Sequence, residues 1–334
     1  MPFANLIGNE RIKKLLKRAI AEGRISQGLL FAGPRGIGKH KFALALAQAL
    51  NCYRPVEGDS CGVCNSCRKI LAQEHPDVET IVSDGQFIRI AQTRALSEKA
   101  QYRPFEGRRR VYILDDADRL RLEAANSILK TLEEPPDSTV LILVTSRPYA
   151  LLDTIRSRCQ MLNFGALSNE ELESELVKNG ERGRDEAALL ARLAQGSIGR
   201  ALEIDLESYK QTRKVIVEVL ELFATGRDTV RLLNAAEYLG RKLEREDFEA
   251  HLDALMVLLE DVLYIKELGQ ADTLTNADLS ERLTRISENL SFEQISLLAD
   301  SVEKIREGLL RNVNRQLVME SMLVTGKGMV SSEF

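Results

Sequence analysis

The chain has 334 residues, of which 44% are apolar and 5% aromatic, and it contains no tryptophan. Cores built mostly of Leu, Ile, Val and Ala favour helices and buried parallel strands over an all-β sandwich. The 46 basic and 50 acidic residues give a formal net charge of −4, which argues against a dedicated nucleic-acid coat protein but allows a local basic face.

The first half of the chain is predicted to alternate strands with helices. Residues 9–22 predict an amphipathic helix with an apolar face formed by Ile12, Leu15, Leu16 and Ile20. Apolar runs predict five strands, at residues 28–32, 78–82, 111–115, 140–145 and 160–164. Helices are expected between them, for example at residues 39–51 and 121–134. This alternation is typical of a parallel sheet that carries helices on both faces.

Strand patterns stop near residue 165, and the remaining chain is predicted to be helical. Short helices are expected around the turn Gly196-Ser-Ile-Gly199, and longer ones from residue 206 onward. One apolar stripe is formed by Leu252, Leu255, Met256, Leu259, Val262 and Leu263. We therefore expect an α/β domain at residues 1–165, a small helical domain at 166–205 and an all-α domain at 206–334.

The stretch GPRGIGKH, which ends at His40, forms most of a phosphate-binding loop between a predicted strand and a predicted helix. Backbone N–H groups of such a loop cradle phosphates, Lys39 would reach the β- and γ-phosphates, and Gly33, Gly36 and Gly38 permit the turns. The last position normally holds a hydroxyl that binds Mg²⁺, whereas imidazole suits softer metals. We expect ATP or ADP to bind with weak Mg²⁺ dependence. The alternatives are a plain glycine turn, or a histidine that turns aside so that water replaces the hydroxyl.

The strand predicted at 111–115 ends in Asp115, as does a Walker B strand, where the terminal aspartate helps to hold Mg²⁺. Many such ATPases place Glu next, which orients the attacking water, but this chain has Asp116. The shorter side chain draws the carboxylate back by about 1 Å, and a misplacement of that order can cost about 10²-fold in rate. The alternative is that Asp115, Asp116 and Asp118 begin a solvated loop and cap a helix. The two differences from the usual motifs, His40 and Asp116, are therefore expected to affect hydrolysis rather than nucleotide binding.

Four of the five cysteines, Cys52, Cys61, Cys64 and Cys67, follow the spacing C-x₈-C-x₂-C-x₂-C. Four thiolates at about 2.3 Å from the ion make a closed structural zinc site. Iron–sulfur ligation and unmetallated thiols are the alternatives. Cys159 stands apart, and we expect it to be buried packing.

Five stretches of the chain resemble the bacterial clamp-loader AAA+ proteins, and within them the delta-prime type of DNA polymerase III subunit. They are GLLFAGPRGIGK at 28–39, CGVCNSC at 61–67 followed by His75-Pro-Asp77, NSILKTLEEPP at 126–136, TIRSRC at 154–159 and GSIGR at 196–200. The resemblance implies a RecA-like AAA+ domain with a zinc module at 52–67, a small helical lid and a C-terminal helical collar. It also implies a hetero-pentameric ring with other subunits of the DNA polymerase III holoenzyme, which opens the sliding clamp and places it on primer-template DNA.

The resemblance also implies roles for single residues. The arginine of the Ser-Arg-Cys motif, here Arg158, would reach a neighbouring subunit's γ-phosphate as an arginine finger. Arg200 would be the sensor 2 residue, and Thr145 or Ser146 would read the γ-phosphate as sensor 1. The alternatives are a locally paired Arg158, and an Arg200 that pairs with an acid such as Glu203.

Motor subunits of this family usually carry Thr or Ser after the loop lysine and Glu after the Walker B aspartate, and this chain differs at both positions, with His40 and Asp116. We therefore expect a non-motor stator subunit with weak or absent ATPase activity of its own. The alternatives are a self-sufficient AAA+ motor ATPase and a zinc-containing DNA-binding regulator. With no secretory signal and no long apolar run, we expect a cytoplasmic protein without a membrane partner.

Overall fold

The computed structural model describes residues 1–178, 182–226, 228–269, 274–309 and 313–328. The chain divides into two compact units, Met1–Glu203 and Ile204–Phe334. Among the described residues, all strands lie in the first unit and the second is built from helices.

The first unit is built on a five-stranded parallel sheet. Its strands are β1 (Gly28–Ala32), β2 (Val78–Ile81), β3 (Arg110–Leu114), β4 (Thr139–Thr145) and β5 (Gln160–Asn163). They lie in the order β2-β3-β4-β1-β5, and every pairing is parallel. All five predicted strands are confirmed to within one residue at each end, because each is a short apolar run bounded by polar or turn residues.

Helices cover both faces of this sheet. They are α1 (Glu10–Ala21), α2 (Lys39–Asn51), α3 (Asn65–Leu71), α4 (Ile90–Ala100), α5 (Leu122–Glu133) and α6 (Asp153–Arg156). Because successive strand residues point to opposite faces, Phe31 packs in the core with α1, α2 and α3, while Leu30 packs with α4, α5 and α6. The predicted apolar face of α1 is correct for Ile12 and Leu16, but Leu15 is 44% exposed, because it lies at the edge of the buried stripe.

Three further helices, α7 (Asn169–Lys178), α8 (Arg184–Leu193) and α9 (Ile198–Glu203), follow the sheet in the same unit. The turn before α9 depends on Gly196, whose φ is +77°. A Cβ there would lie 2.6 Å from the carbonyl oxygen of Leu167, so a larger residue would displace the turn. The turn therefore fixes where α9 begins.

The second unit consists of helices packed around one apolar core. They are α10 (Leu206–Thr225), α11 (Thr229–Glu237), α12 (Arg245–Leu268), α13 (Ser280–Asn289), α14 (Phe292–Leu309) and α15 (Arg315–Gly328), with a π-helical turn at Tyr238–Lys242. The carboxylate of Asp205 caps α10 by accepting the N–H groups of Glu207 and Ser208. The stripe predicted on α12 lies in this core, with Met256 and Leu263 partly buried at its edge. Among the described helices, none is long and apolar enough to cross a bilayer.

Candidate functional site

The glycine loop lies between β1 and α2, at the carboxyl end of the sheet. Gly36 and Gly38 have φ values of +72° and +92°, which residues with a Cβ rarely adopt. Lys39 is the first residue of α2, and its Nζ donates to the carbonyl oxygens of Gly33 at 2.7 Å and Pro34 at 2.5 Å. The loop therefore curls around the lysine ammonium, which is held where a phosphate would bind.

A cavity of about 430 Å³ opens beside this loop. It brings together five of the predicted nucleotide-binding residues, Gly36, Gly38, Lys39, His40 and Asp115, with Asp116, the acid predicted to orient water. Ile198, Gly199 and Leu202 of α9 close another side of it. Burial lowers the pKa of Lys39, while the carboxylates of Asp115, Asp116 and Asp118 oppose that shift. The cavity thus places the Lys39 ammonium close to several carboxylates. A site that binds a nucleotide together with a metal ion needs both kinds of group.

The histidine of the loop contacts the strand-end aspartate. Nδ1 of His40 lies 3.2 Å from Oδ2 of Asp115, without the geometry of a hydrogen bond. Burial favours the neutral form of Asp115, but His40, the N–H of Asp116 and the charge of Lys39 outweigh it and hold the pKa of Asp115 below its usual value. The imidazole therefore lies beside the carboxylate that a Mg²⁺ ion would use.

The second acid, Asp116, is positioned differently. Its backbone is left-handed, with φ of +48°, and its N–H donates to Oδ1 of Asp115 at 3.1 Å. Its Oδ2 lies 3.7 Å from Nη2 of Arg35 and 3.5 Å from Nε of Arg119. Two guanidinium groups therefore surround the carboxylate that was predicted to orient water.

Thr145, one of the two predicted sensor residues, is 1% exposed and faces away from the cavity. Its hydroxyl donates to Oδ1 of Asp118 at 2.7 Å, and the Arg147 guanidinium binds the other oxygen of Asp118 at 2.7 and 2.9 Å. Burial raises the pKa of Asp118, but the Thr145 hydroxyl and Arg147 hold it below its usual value. Ser146 lines the cavity instead. The role of Asp118 was missed, although it stands three residues after the strand-end aspartate.

The start of α9 contacts the glycine loop directly. The N–H of Gly199 donates to the carbonyl oxygen of Gly36 at 2.9 Å. A Cβ on Gly36 would lie 2.2 Å from Oγ of Ser197, and one on Gly199 would lie 3.1 Å from the oxygen of Gly36. The side chain of Arg200 is exposed and does not line the cavity, so this contact involves the backbone of α9 rather than the predicted sensor arginine.

Arg158 lies outside this cavity, after α6 and before β5. Its Nη2 is 2.7 Å from Oε1 of Glu133, and its Nη1 donates to the carbonyl oxygen of Thr154 at 2.9 Å. The side chain is 35% exposed, and that of Glu133 is 47% exposed. Arg158 is therefore available at the surface, and Glu133, at the end of α5, is a partner that the sequence pattern did not reveal.

The four spaced cysteines come together between α2 and α3. The sulfur atoms of Cys52, Cys61, Cys64 and Cys67 all lie within 4.8 Å of one another, and those of Cys52 and Cys64 are 4.0 Å apart. Sulfurs at about 2.3 Å from a tetrahedral ion are about 3.8 Å apart, so this arrangement could hold a metal ion. Cys159 is not in the cluster, and burial raises the pKa of its thiol to about 12.

Backbone N–H groups support the cluster. Cys52 accepts the N–H groups of Arg54 at 3.4 Å and Cys61 at 3.3 Å, and Cys61 accepts that of Cys64 at 3.4 Å. Backbone hydrogen bonding, led by Val63, lowers the pKa of Cys61 to about 6 and favours its thiolate, the form that binds metal. Burial raises the pKa of Cys67. Neutral thiols can be buried here because they carry no charge. Four buried thiolates would repel one another unless a cation lay between them.

Comparison with known proteins agrees with these features. A family model described as “DNA polymerase III, delta subunit” matches residues 8–168, and one described as “DNA polymerase III, delta subunit, C terminal” matches residues 207–327. The chain is 31% identical to DNA polymerase III subunit delta' of Bacillus subtilis over 94% of both chains. It is 30% identical to subunit delta' of Escherichia coli over 90% of this chain and 89% of the relative.

Two further similarities are partial or distant. Subunit tau of Escherichia coli is 37% identical over 60% of this chain and 32% of tau. The solved structure of a gamma subunit-related protein of Thermotoga maritima aligns with a TM-score of 0.41 and 21% identity, over 94% of this chain and 98% of that one. The assignment depends on the delta' relatives, which match along nearly their whole length. The chain belongs to the DNA polymerase III delta' subunit family.

Proposed function

We propose that this chain is the non-motor subunit of a bacterial clamp loader. In this role it occupies one position in a hetero-pentameric ring of clamp-loader subunits that loads the sliding clamp onto primer-template DNA in the cytoplasm. Residues 1–165 act as the AAA+ domain, 166–205 as the lid and 206–334 as the collar that assembles with the other subunits. Arg158 serves a neighbouring subunit's ATP, while the chain's own site binds nucleotide weakly and hydrolyses little or none.

One observation carries the proposal, namely the 3.2 Å contact between His40 and Asp115. An intact site of this kind binds Mg²⁺ between the hydroxyl that follows the loop lysine and the strand-end aspartate. Here an imidazole replaces the hydroxyl and contacts that aspartate, and a nitrogen ligand is poorly suited to Mg²⁺. The phosphate cradle formed by Gly36, Gly38 and Lys39 is present, so the loss falls on the metal and on catalysis.

The first experiment measures the chain's own nucleotide chemistry. Isothermal titration of ATP and ADP into the purified chain, with and without Mg²⁺, should give weak binding with similar affinities in both conditions. Steady-state hydrolysis by the same preparation should be near the background of a Lys39→Ala variant. Magnesium-dependent hydrolysis well above that control would instead identify the chain as a self-sufficient motor.

The proposed role of Arg158 rests on its surface position and its weak restraint. An exposed ion pair such as the one with Glu133 contributes about 0–1 kcal/mol, so the guanidinium can leave it at little cost. A planar, permanently charged fork suits phosphate oxygens. Such a residue needs no intact site in its own chain, which is consistent with a degraded pocket beside a retained arginine.

The second experiment uses the assembled complex. Arg158→Ala should lower hydrolysis at the site that it serves by about 10³–10⁵-fold, the effect of arginine fingers in related NTPases. Arg158→Lys should restore part of the rate, because it keeps the charge but not the fork. Arg156→Ala removes a neighbouring arginine that pairs with Asp153, and it should have little effect. Equal rates for Arg158→Ala and Arg156→Ala would contradict the finger role.

We also propose that the cysteine cluster holds zinc as a structural ion. Cys52, Cys61, Cys64 and Cys67 leave no open position for water or substrate, so the ion would join α2 to α3 without taking part in catalysis. When bound, it supplies charge neutralisation for the four thiolates.

The alternative function, an active motor ATPase, is favoured by one feature, the retained glycines of the loop with Lys39 in place. A zinc-containing DNA-binding regulator would use the cysteine cluster instead. The isolated-chain experiment separates the motor from the stator. DNA binding by the isolated chain that persists at physiological salt would favour the regulator.

A further inference from the structure

We propose that a surface beside the cysteine cluster binds single-stranded nucleic acid. It combines two exposed aromatic rings with four arginines, and we call it the arginine–aromatic face; its residues are Arg54, Tyr102, Arg103, Phe105, Arg108 and Arg109. The proposal is independent of the stator role, because none of these residues lines the nucleotide cavity or contacts Arg158.

The aromatic rings project from the loop between α4 and β3. Phe105 is 83% exposed and Tyr102 is 67% exposed, so neither ring contributes much to the apolar core of the first unit. Two large aromatic side chains exposed to this extent on one short loop are available to a binding partner. A flat ring offers a face on which any nucleobase can stack, whatever the sequence.

Two buried side chains hold the backbone of the loop that carries these rings. The buried carboxylate of Asp77 accepts the N–H groups of Phe105, Glu106 and Gly107 at 2.7–2.8 Å.

The buried side-chain oxygen of Asn51 accepts the next two N–H groups, those of Arg108 and Arg109, at 2.8 and 2.9 Å. Five consecutive N–H groups are thus fixed by two side chains. A loop ordered in advance loses little conformational entropy when it binds a partner.

The charge of the face is unbalanced. Within the described part of the chain, no carboxylate pairs with the guanidinium of Arg54, Arg103, Arg108 or Arg109. Two nearby acids are already paired, since Glu106 lies 2.7 Å from Lys69 and Asp77 lies 3.7 Å from Arg110. Glu57, on the turn beside Gly58, and Asp137, next to the Ser138 that accepts the N–H of Arg110, are further exposed acids of this region, so the arginines outnumber the acids without excluding them. The local excess of positive charge contrasts with the chain's net charge of −4 and suits a polyanion.

A groove of about 330 Å³ adjoins the face. It is lined by Arg108 and Arg109, by Pro55 and Gly58 from the segment between Cys52 and Cys61, and by apolar residues of α1, of the turn after α1 and of α2. Asn51, which orients the arginines, directly precedes Cys52, so the cysteine cluster and the arginine loop are fixed to the end of the same helix. The arginines would bind the phosphates of a single strand, and the exposed rings would stack with its bases.

Exposed rings beside unpaired arginines are the combination by which proteins bind single strands without sequence preference. A duplex hides its base faces, so it could use the arginines but not the rings. An acidic protein could use both, and the experiment below distinguishes this possibility. The observations favour nucleic acid because the loop carries three arginines without a paired carboxylate among the described residues, Arg103, Arg108 and Arg109, together with two exposed rings.

The test is fluorescence anisotropy with the full chain and labelled oligonucleotides of about 20 nucleotides. The probes are oligothymidylate, oligouridylate, an abasic strand of equal length and a duplex, each at low and at physiological salt. We expect both thymidylate and uridylate to bind, with a steep loss of affinity as salt rises. The abasic strand and the duplex should bind at least fivefold more weakly, because they offer no free base to the rings.

Matched variants separate stacking from charge. Phe105→Ala and Tyr102→Ala should each weaken oligothymidylate binding by about 5- to 150-fold, while the equally exposed Tyr149→Ala should not. Arg108→Ala should reduce the salt dependence, and Arg94→Ala, an exposed arginine of α4, should leave it unchanged. Circular dichroism confirms that each variant is folded.

Three results would overturn the proposal. They are an absence of oligothymidylate binding at low salt, equal binding of abasic and thymidylate strands, and full binding by the Phe105→Ala and Tyr102→Ala variants. If those variants bind oligonucleotide normally but fail to enter the assembled complex, the face belongs to a protein partner, and the nucleic-acid assignment is wrong.

Discussion

Nδ1 of His40 lies 3.2 Å from Oδ2 of Asp115, so the residue that replaces the metal-binding hydroxyl of the glycine loop contacts the acid that would hold the same ion. The two side chains come from α2 and from the end of β3, which are 75 residues apart in sequence numbering (115 − 40). Around them the loop, its lysine and the cavity remain in place. On the proposed function, this pocket would bind phosphate without supporting metal-dependent hydrolysis.

Restoring the hydroxyl should restore the metal dependence. In His40→Thr, Mg²⁺ should tighten ATP binding by about tenfold or more, which corresponds to about 1.4 kcal/mol, whereas it should have little effect on the wild-type chain. Adding Asp116→Glu should raise hydrolysis by about 10²-fold over the single variant, because the carboxylate reaches about 1 Å further. Titration calorimetry and steady-state ATPase assays measure the two steps. Strong Mg²⁺ dependence in the wild-type chain would contradict the interpretation of His40.

Removing a ligand should empty the cysteine cluster and destabilise the first unit. Elemental analysis of Cys64→Ser should show the loss of one stoichiometric zinc ion. The Tm should fall by about 10 °C or more, because a structural ion contributes several kcal/mol to folding. Cys159→Ser is the matched control, since that thiol stands outside the cluster and should leave the zinc content unchanged. Wild-type protein without stoichiometric zinc would remove the assignment, and iron in its place would change the identity of the ion.

The contact between the lid and the glycine loop can be isolated by comparing two glycines. Gly36 and Gly38 both have positive φ, but a Cβ on Gly36 meets Oγ of Ser197 at 2.2 Å, and one on Gly38 meets nothing within 4 Å. Gly38→Ala should therefore cost about 1–2 kcal/mol of backbone strain. Gly36→Ala should cost about 1–3 kcal/mol more, because Oγ of Ser197 must turn away and give up the N–H of Arg200 that it accepts at 3.1 Å.

Urea unfolding of the nucleotide-free chain measures both values. Adding Ser197→Ala to Gly36→Ala should recover part of the extra loss, since it removes the clashing oxygen. Equal destabilisation by the two alanine variants would show that Ser197 does not contact the glycine loop in solution.

The carboxylate of Asp77 should make stability depend on pH. Burial raises its pKa, but the N–H groups of Phe105, Gly107 and Glu106, with Arg110, outweigh burial and hold the pKa below its usual value. A group with a depressed folded-state pKa stabilises the protein above its unfolded-state pKa of about 3.9, and this stabilisation is lost as the pH falls through the folded-state value. Asp77→Asn should cost about 2–4 kcal/mol at pH 7, because its amide group cannot accept all three N–H groups.

The difference in the free energy of unfolding between wild type and Asp77→Asn should shrink as the pH is lowered from about 5 to below 3.9. Below its folded-state pKa the wild-type carboxyl is neutral as well. Urea unfolding across this range measures it. Asp84→Asn, an exposed acid paired with Arg89, is the control and should change stability by less than about 1 kcal/mol. A constant difference at all pH values would mean that the Asp77 charge is not what stabilises the loop.

Local patterns predicted the strands and the cysteine cluster well because each depends on residues close in sequence. A buried parallel strand is a short apolar run, and Cys61, Cys64 and Cys67 lie within one turn and the start of a helix. The choice between Thr145 and Ser146 could not be made this way. It depends on Asp118, which accepts the Thr145 hydroxyl and leaves Ser146 at the cavity.

By itself, the sequence determined the parallel sheet, the glycine loop with its altered last residue, the cysteine spacing and the family, because these follow from apolar periodicity and from residues at fixed short separations. The tertiary structure decided which polar groups meet. It paired His40 with Asp115, Arg158 with Glu133, and Asp77 with a loop 28 to 30 residues further along the chain. The reason is physical: these residues are distant in sequence, so only the packing of strands and helices determines which of them lie within reach, and a buried carboxylate such as that of Asp77 must find its partners there.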